Sequence, residues 1–189
     1  IRFGEDVEGY DIPVLNEREI RAAAGLLFLM MFTSIMIVIF ENHYLMLKVG
    51  ILIFLTDIVI RVFVNPKFSP SLIVGRLIVK NQVPEYVGAP QKKFAWTIGV
   101  ILSATMFILI VVLNLDNPIT TLLCYVCLIF LFFETAFGIC IGCKIYSRVY
   151  KDKAQYCPGE VCELNSRQDI QKISNVQKFI VLGFIAYLF

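Results

Sequence analysis

The chain has 189 residues, of which 58% are hydrophobic and 17% are charged, with a formal net charge of +2. Globular domains are roughly 45–50% apolar and 25% charged, so this composition excludes intrinsic disorder and indicates a membrane protein. The near balance of charges also excludes a nucleic-acid-binding domain, which needs a basic stripe.

Four stretches are long and apolar enough to cross a membrane, because about 20 helical residues span its hydrocarbon core. They predict an all-α transmembrane bundle of four spans, at residues 22–40, 44–64, 94–115 and 119–142. Each stretch is apolar on every side, whereas the helices of a soluble bundle would each need a polar face. The sequence therefore favours helices that face lipid.

The positions of Lys and Arg predict the orientation, because cytoplasmic loops carry an excess of these residues. They occur in the N-terminal segment 1–21, between the second and third spans, and after the fourth span. The other two connections contain neither residue type. We therefore expect the N-terminus, segment 66–93 and the Cys-containing loop 144–178 to lie in the cytoplasm.

Two further segments contain apolar residues but are not predicted as complete spans, because Pro interrupts segment 66–93 and segment 179–189 is short. Within segment 66–93, a short amphipathic helix is predicted on the cytoplasmic surface. Its apolar residues are Leu72, Ile73, Leu77, Ile78 and Val79. Segment 179–189 would form about 16 Å of helix. It is either an interfacial helix or a partial fifth span.

Ionisable residues inside the predicted spans are candidates for function, because a buried charge is costly there. Asp57 and Arg61 are four residues apart on the second span and share a helix face. They form either a buried salt bridge that fixes packing or a proton or substrate site. Glu134 has no charged neighbour one turn away and would need a proton, a backbone donor, or a partner such as Arg61 or Arg76. A structural and a functional role are both open for Glu134.

All six cysteines lie between residues 124 and 162. Cys124 and Cys127 stand among apolar residues of the fourth span, and we interpret them as packing residues. The other four form a C-x2-C, 13 intervening residues and a C-x4-C, a spacing near that of four-cysteine metal sites. These four are Cys140, Cys143, Cys157 and Cys162.

Two chemistries fit this second group of four cysteines, and uninvolved free thiols are a third alternative. In a zinc site, the thiolates would converge on one ion and tie the fourth span to the loop. In a thiol relay, one pair would pass a disulfide to the other. We expect Cys140 and Cys143 at a helix C-terminus, where the dipole disfavours an anion. A reducing cytoplasm also disfavours a permanent disulfide.

Three segments resemble a known family. Residues 65–70 (Asn-Pro-Lys-Phe-Ser-Pro), 88–95 (Gly-Ala-Pro-Gln-Lys-Lys-Phe-Ala) and 134–146 (Glu-Thr-Ala-Phe-Gly-Ile-Cys-Ile-Gly-Cys-Lys-Ile-Tyr) are similar to domain of unknown function 4395. The resemblance covers roughly residues 16–146. It implies a small multi-pass protein of the bacterial inner membrane, sometimes encoded with or fused to thioredoxin-like or rhodanese-like proteins. It implies no established activity.

The first of these motifs also makes structural sense. Pro66 is expected to end the second span at Asn65, since Pro disfavours the helical conformation of the residue before it. Ser69 is then expected to cap the surface helix, with Pro70 in its first turn.

Together these features predict a thiol-based redox or sulfur-relay accessory protein. Cys140 and Cys143 would react, with Cys157 and Cys162 as resolving or shuttle thiols. Basic residues such as Arg76 and Lys144 are expected at the same membrane depth, where they would favour thiolates. One alternative is a non-catalytic subunit of a larger membrane complex. The other is a small transporter with Asp57, Arg61 and Glu134 along its path.

Overall fold

A computed structural model describes residues 3–149, 156 and 173–188. In this part of the chain there are seven α-helices, and the all-α class is confirmed. They are α1 (Glu17–Glu41), α2 (Leu45–Val59), α3 (Pro70–Val79), α4 (Ala89–Met106), α5 (Pro118–Phe137), α6 (Ile141–Val149) and α7 (Asn175–Leu188). The sequence did not predict two short strands, β1 (Val14–Asn16) and β2 (Tyr86–Gly88). They pair antiparallel, with Leu15 opposite Val87.

Three helices among the described residues are long and apolar enough to cross a membrane, as in a multi-pass membrane protein. They are α1, α5, and α4 with its π-helical continuation to Val112. The predicted second span is also helical: the 15 residues of α2 continue into a five-residue π-helix, Ile60–Val64. This helix is not among the three because Lys48, Asp57 and Arg61 make it more charged.

Large apolar side chains cover the outside of the long helices. Leu29 on α1, Ile101 on α4 and Leu122 on α5 expose 60, 64 and 63% of their surface. A water-soluble protein rarely exposes so continuous an apolar surface. Contact with the lipid bilayer accounts for it, because the helices already satisfy their own backbone groups.

The core lies between α1, α2, α4 and α5, where the inward-facing side chains are almost completely buried. Met31 of α1, Ile51 of α2 and Met106 of α4 each expose 1% of their surface. The buried residues of α4 follow one helical stripe that runs from Trp96 to Met106 and on to Ile110. Helix α5 closes the core with Cys124 and Cys127.

Helix α3 forms where the sequence predicted it. Asn65 ends the preceding π-helix, and the Ser69 side chain accepts a hydrogen bond from the Leu72 N–H, with Pro70 at the first helical position. The predicted cap is thus confirmed. A Cβ added at Gly75 would lie 2.6 Å from the Glu19 carbonyl oxygen, so α3 packs closely against α1. Its other face is apolar and exposed, at Ile73, Val74, Leu77 and Ile78.

Helix α7 contains the apolar C-terminal segment. It begins at Asn175, four residues before the predicted segment 179–189. Each of its described side chains is exposed. The interfacial and membrane-spanning interpretations of this segment therefore both stay predictions.

Candidate functional site

The two cysteines of the first C-x2-C lie at the start of a helix and not at the end of one. Helix α5 ends at Phe137, because Gly138 adopts a left-handed conformation with φ 62°. Helix α6 then begins at Ile141, directly after Cys140. The expected position at a helix C-terminus is therefore wrong. The fourth span was predicted to continue to residue 142, whereas the helix stops before Gly138.

Cys140 occupies the capping position of α6. Its Sγ accepts a hydrogen bond from the Cys143 N–H at 3.3 Å, and its carbonyl accepts one from the Lys144 N–H at 3.2 Å. The partial positive charge of a helix N-terminus stabilises an anion. Cys140 therefore lies at the end of the helix dipole that is opposite to the expected one.

The structure joins Cys140 and Cys143 in a disulfide bond, with Cα atoms 5.2 Å apart. Both residues are buried, with 5% of their surface exposed. Between them in sequence, Gly142 packs directly against α4. A Cβ at Gly142 would lie only 2.5 Å from the Cβ of Ala95. This close contact fixes the disulfide against the bundle.

An inner cavity of about 90 Å³ lies beside the disulfide. Its lining brings together side chains from α4, α5, the π-helix after α2, and the α5–α6 connection. Among them are Arg61, Trp96, Cys127, Glu134 and Cys140. Two of the three predicted intramembrane ionisable residues thus share one cavity with a predicted thiol.

Glu134 has a partner that sequence analysis did not assign to it. Its Oε1 accepts a hydrogen bond from Nζ of Lys92 at 2.6 Å. Lys92 was counted among the cytoplasmic loop residues, but its side chain is completely buried. The burial of Lys92 is consistent with helical spacing, because Lys92 lies four residues before Trp96 on the buried stripe of α4.

Glu17 is the third member of this buried ion cluster, and sequence analysis missed it as well. Its Oε2 lies 2.7 Å from Nζ of Lys92, and the side chain is completely buried. The contact is an ion pair without a well-directed hydrogen bond. Neither carboxylate oxygen of Glu17 accepts a hydrogen bond from the described residues. Pairing of β1 with β2 places Glu17 here, where its N–H donates to the Glu85 carbonyl at 2.7 Å.

Asp57 and Arg61 form the predicted pair, 2.7 Å apart and almost fully buried. Asp57 Oδ1 also accepts hydrogen bonds from the Ser69 hydroxyl at 2.7 Å and the Ser71 N–H at 3.0 Å. The guanidinium of Arg61 lies 5.2 Å from the ring centroid of Trp96. These contacts tie the end of the second long helix to α3 and α4. They support the packing interpretation of this pair.

The basic residues at this end of the bundle have partners of their own. Arg76 donates from both Nε and Nη2 to Oε2 of Glu19 at 3.1 Å, and this hydrogen bonding raises the pKa of Arg76. Arg21 approaches the Thr135 carbonyl at the end of α5, with Nη2 3.5 Å from the oxygen. Arg76 of α3 therefore forms a surface ion pair with Glu19 of α1 and not with Glu134.

Cys157 and Cys162 lie outside the described residues. Tyr156 is described, and its carbonyl accepts hydrogen bonds from the Gly88 N–H at 3.1 Å and from Nε2 of Gln91 at 3.2 Å. The residue before Cys157 is thus attached to the N-terminal end of α4. In the described part of the chain, no group of three His, Cys, Asp or Glu could hold a metal ion. The four-cysteine zinc site stays a prediction.

Cys124 and Cys127 are buried free thiols. Cys127 lines the inner cavity, while Cys124 lines a larger cavity of about 410 Å³ at the opposite end of the bundle. At the rim of that outer cavity, the Tyr44 hydroxyl donates to Asp116 and the Lys48 ammonium donates to Asn114. These contacts join the start of α2 to the turn before α5. Both cysteines belong to the core, as expected of packing residues.

The chain belongs to the family described as a domain of unknown function (DUF4395), which matches residues 15–151. The resemblance seen in the three sequence segments is thereby confirmed. No curated protein and no solved structure matches the chain.

Proposed function

We propose that this small multi-pass member of the family is a thiol–disulfide exchange protein whose reactive pair is Cys140 and Cys143. The observation that carries the proposal is the position of Cys140 at the N-terminus of α6, with the Cys143 N–H directed at its sulfur. In C-x-x-C motifs, such a position lowers the pKa of a thiol and so activates it. The disulfide also borders a cavity that contains polar groups.

The exchange follows the chemistry of thiolates and disulfides. A thiolate of a partner dithiol attacks Sγ of Cys143, the bond between Cys143 and Cys140 breaks, and its electron pair stays on Cys140. The second thiolate of the partner then attacks the partner sulfur that is bonded to Cys143 in the mixed disulfide. Cys143 is released as a thiolate. The partner dithiol is oxidised to a disulfide, and the Cys140–Cys143 pair is reduced by two electrons. The reverse sequence oxidises the pair.

A thioredoxin-like or rhodanese-like protein is the partner that the family resemblance implies. Within the chain, Cys157 and Cys162 are the proposed shuttle thiols. The hydrogen bonds of Tyr156 to Gly88 and Gln91 support this role. They attach Tyr156, the residue before Cys157, to Gln91, which lies one helical turn before Ala95. Gly142 packs against Ala95. The described residue next to the shuttle pair in sequence is thus held at the end of α4 against which Gly142 packs.

We also propose a topology with at least four spans in the bacterial inner membrane and the N-terminus in the cytoplasm. Together α2 and its π-helix have 20 residues, about 30 Å of helix, enough for a second span. Asp57 and Arg61 satisfy one another there, which lowers the cost of their burial. The exposed apolar face of α3 fits the membrane surface, and α7 fits the start of a fifth span.

Thiol counting in intact membranes tests the redox function. We expect Cys140 and Cys143 to be alkylated only after treatment with a reductant, and Cys140→Ser to leave Cys143 reactive without it. Cys124→Ser with Cys127→Ser serves as the control and should leave this difference unchanged. Equal labelling of Cys140 and Cys143 with and without reductant would contradict the proposal. Stoichiometric zinc in the same preparation, lost with Cys140→Ser, would favour the metal site instead.

The structural-subunit alternative has one supporting observation, the complete exposure of the described α7 side chains, which leaves that apolar helix available for a partner. Extraction in mild detergent with a stoichiometric partner would favour it. The transporter alternative is weaker, because the Asp57 carboxylate is occupied by Arg61, Ser69 and Ser71.

A further inference from the structure

We propose that Glu134 exchanges a proton with Cys140 in each redox cycle, and that Lys92 and Glu17 position it and keep one proton in the cluster. This inference rests on the proposed thiol–disulfide exchange, since it names the acid and base for that reaction.

The inner cavity brings the two exchanging groups together. Glu134 lies on the last turn of α5, Cys140 lies in the connection to α6, and both line the same cavity of about 90 Å³. This volume is large enough to hold a water molecule. A carboxyl and a thiol that share such a space can pass a proton directly or through one water.

The charges of the ion cluster explain why a proton is present to be exchanged. Glu17 and Glu134 bring two carboxylates to the single ammonium of Lys92. Both oxygens of Glu17 lack a hydrogen bond from the described residues, although the side chain is completely buried. A second uncompensated carboxylate would be costly in such a place, and a proton removes that cost.

Among the described residues, Lys92 is the only cation that forms an ion pair with Glu17 or Glu134. On the π-helix after α2, Arg61 faces the cavity, but its charge is matched by Asp57. On α1, Arg21 approaches the Thr135 carbonyl. Glu85, before β2, adds negative charge near Glu17. The cluster therefore keeps one more carboxylate than it can pair.

The proton step balances the disulfide chemistry. When the pair is reduced, the Cys140–Cys143 bond breaks, the electron pair stays on Cys140, and the Glu134 carboxyl gives its proton to that sulfur. The Glu134 carboxylate then keeps its ion pair with Lys92. When a partner disulfide oxidises the pair, Glu134 takes the proton back as Cys140 becomes a thiolate.

The test is the rate at which dithiothreitol reduces the disulfide between pH 5 and 9, followed by alkylation of the freed thiols and mass spectrometry. Rates are divided by the concentration of dithiothreitol thiolate. For the wild-type protein, we expect this corrected rate to fall as the pH rises and the cluster loses its proton. Glu134→Gln should lower the rate at acidic pH about 100-fold, as for a lost general acid, and remove the pH dependence.

Two further variants separate catalysis from structure. Glu134→Asp keeps a carboxyl and should restore the pH dependence. Glu19→Gln removes a carboxylate from the same end of α1, where it pairs with Arg76 outside the cavity, and should behave as wild type. A purely structural role of Glu134 would lower the unfolding temperature of Glu134→Gln but leave its pH profile unchanged.

The outcomes distinguish this inference from the proposed function. A wild-type rate without pH dependence, or a Glu134→Gln profile equal to that of the wild type, overturns the proton transfer and leaves the exchange reaction intact. The proton transfer and the exchange function are both overturned if dithiothreitol fails to reduce the disulfide. They are also both overturned if a protein disulfide fails to oxidise the reduced pair.

Discussion

The Nζ atom of Lys92 lies 2.6 Å from Oε1 of Glu134, in an ion pair that joins α4 to α5 across the membrane-embedded bundle. The same ammonium contacts Glu17 of α1. Three helices thus depend on one buried cation. Its neighbour Lys93 is exposed, with its ammonium 5.1 Å from the ring centroid of Phe3.

Replacing this cation should destabilise the bundle. We expect Lys92→Met to lower the free energy of unfolding by about 3–5 kcal/mol, because it leaves two carboxylates buried without a partner. Unfolding of the purified protein in detergent, followed by circular dichroism, measures the change. Lys93→Met is a matched control on the adjacent residue, and its midpoint should stay near that of the wild type. Equal effects of the two variants would show that Lys92 is not the essential partner.

The contact of α6 with α4 should control access to the disulfide. We expect Gly142→Ala to cost about 1–3 kcal/mol through overpacking, because the added methyl group would lie 2.7 Å from Cα of Ala95. The displaced α6 should also let dithiothreitol reduce the Cys140–Cys143 bond faster than in the wild type. Both the unfolding midpoint and the reduction rate can be measured on one preparation.

Gly183→Ala on α7 provides the matched control, since a Cβ there would meet no atom within 4 Å. This variant should not lower the unfolding midpoint, and it should not change the reduction rate. A Gly142→Ala protein that is as stable and as slowly reduced as the wild type would contradict the packing argument.

The Asp57–Arg61 pair should act as a structural unit. Asp57→Asn leaves the buried guanidinium of Arg61 without its counter-charge, and we expect a loss of about 3 kcal/mol in the free energy of unfolding. The double variant Asp57→Asn with Arg61→Met removes both charges and should recover part of that loss. Additive losses in this double-mutant cycle would contradict the proposed coupling.

Much of the fold follows from local features of the sequence. The cap at Ser69 and the turn at Asn117 each depend on residues within three or four positions, as the side-chain hydrogen bonds to Leu72 and Thr120 show. The contact of Asp57 with Arg61 likewise follows from one helical turn. These features were predictable because their partners are neighbours in the chain.

The break between α5 and α6 is also local, yet sequence analysis missed it. Gly138 lies in an apolar run that continues past it, so its left-handed conformation was not anticipated. The guanidinium of Arg21 fills the space beside Gly138, where a Cβ would lie 3.2 Å from it. Packing against α1 therefore accompanies the turn that places Cys140 at a helix N-terminus.

The sequence by itself determined an apolar, mostly helical chain of the membrane, since the length and hydrophobicity of each segment depend on nearby residues alone. Only the tertiary structure decided that Lys92 is buried and that it meets Glu134, 42 positions along the chain, as well as Glu17. Charged residues near helix ends look alike in sequence. Which of them enters the core depends on how distant helices pack, and the cost of burying a charge is met only where those helices bring opposite charges together.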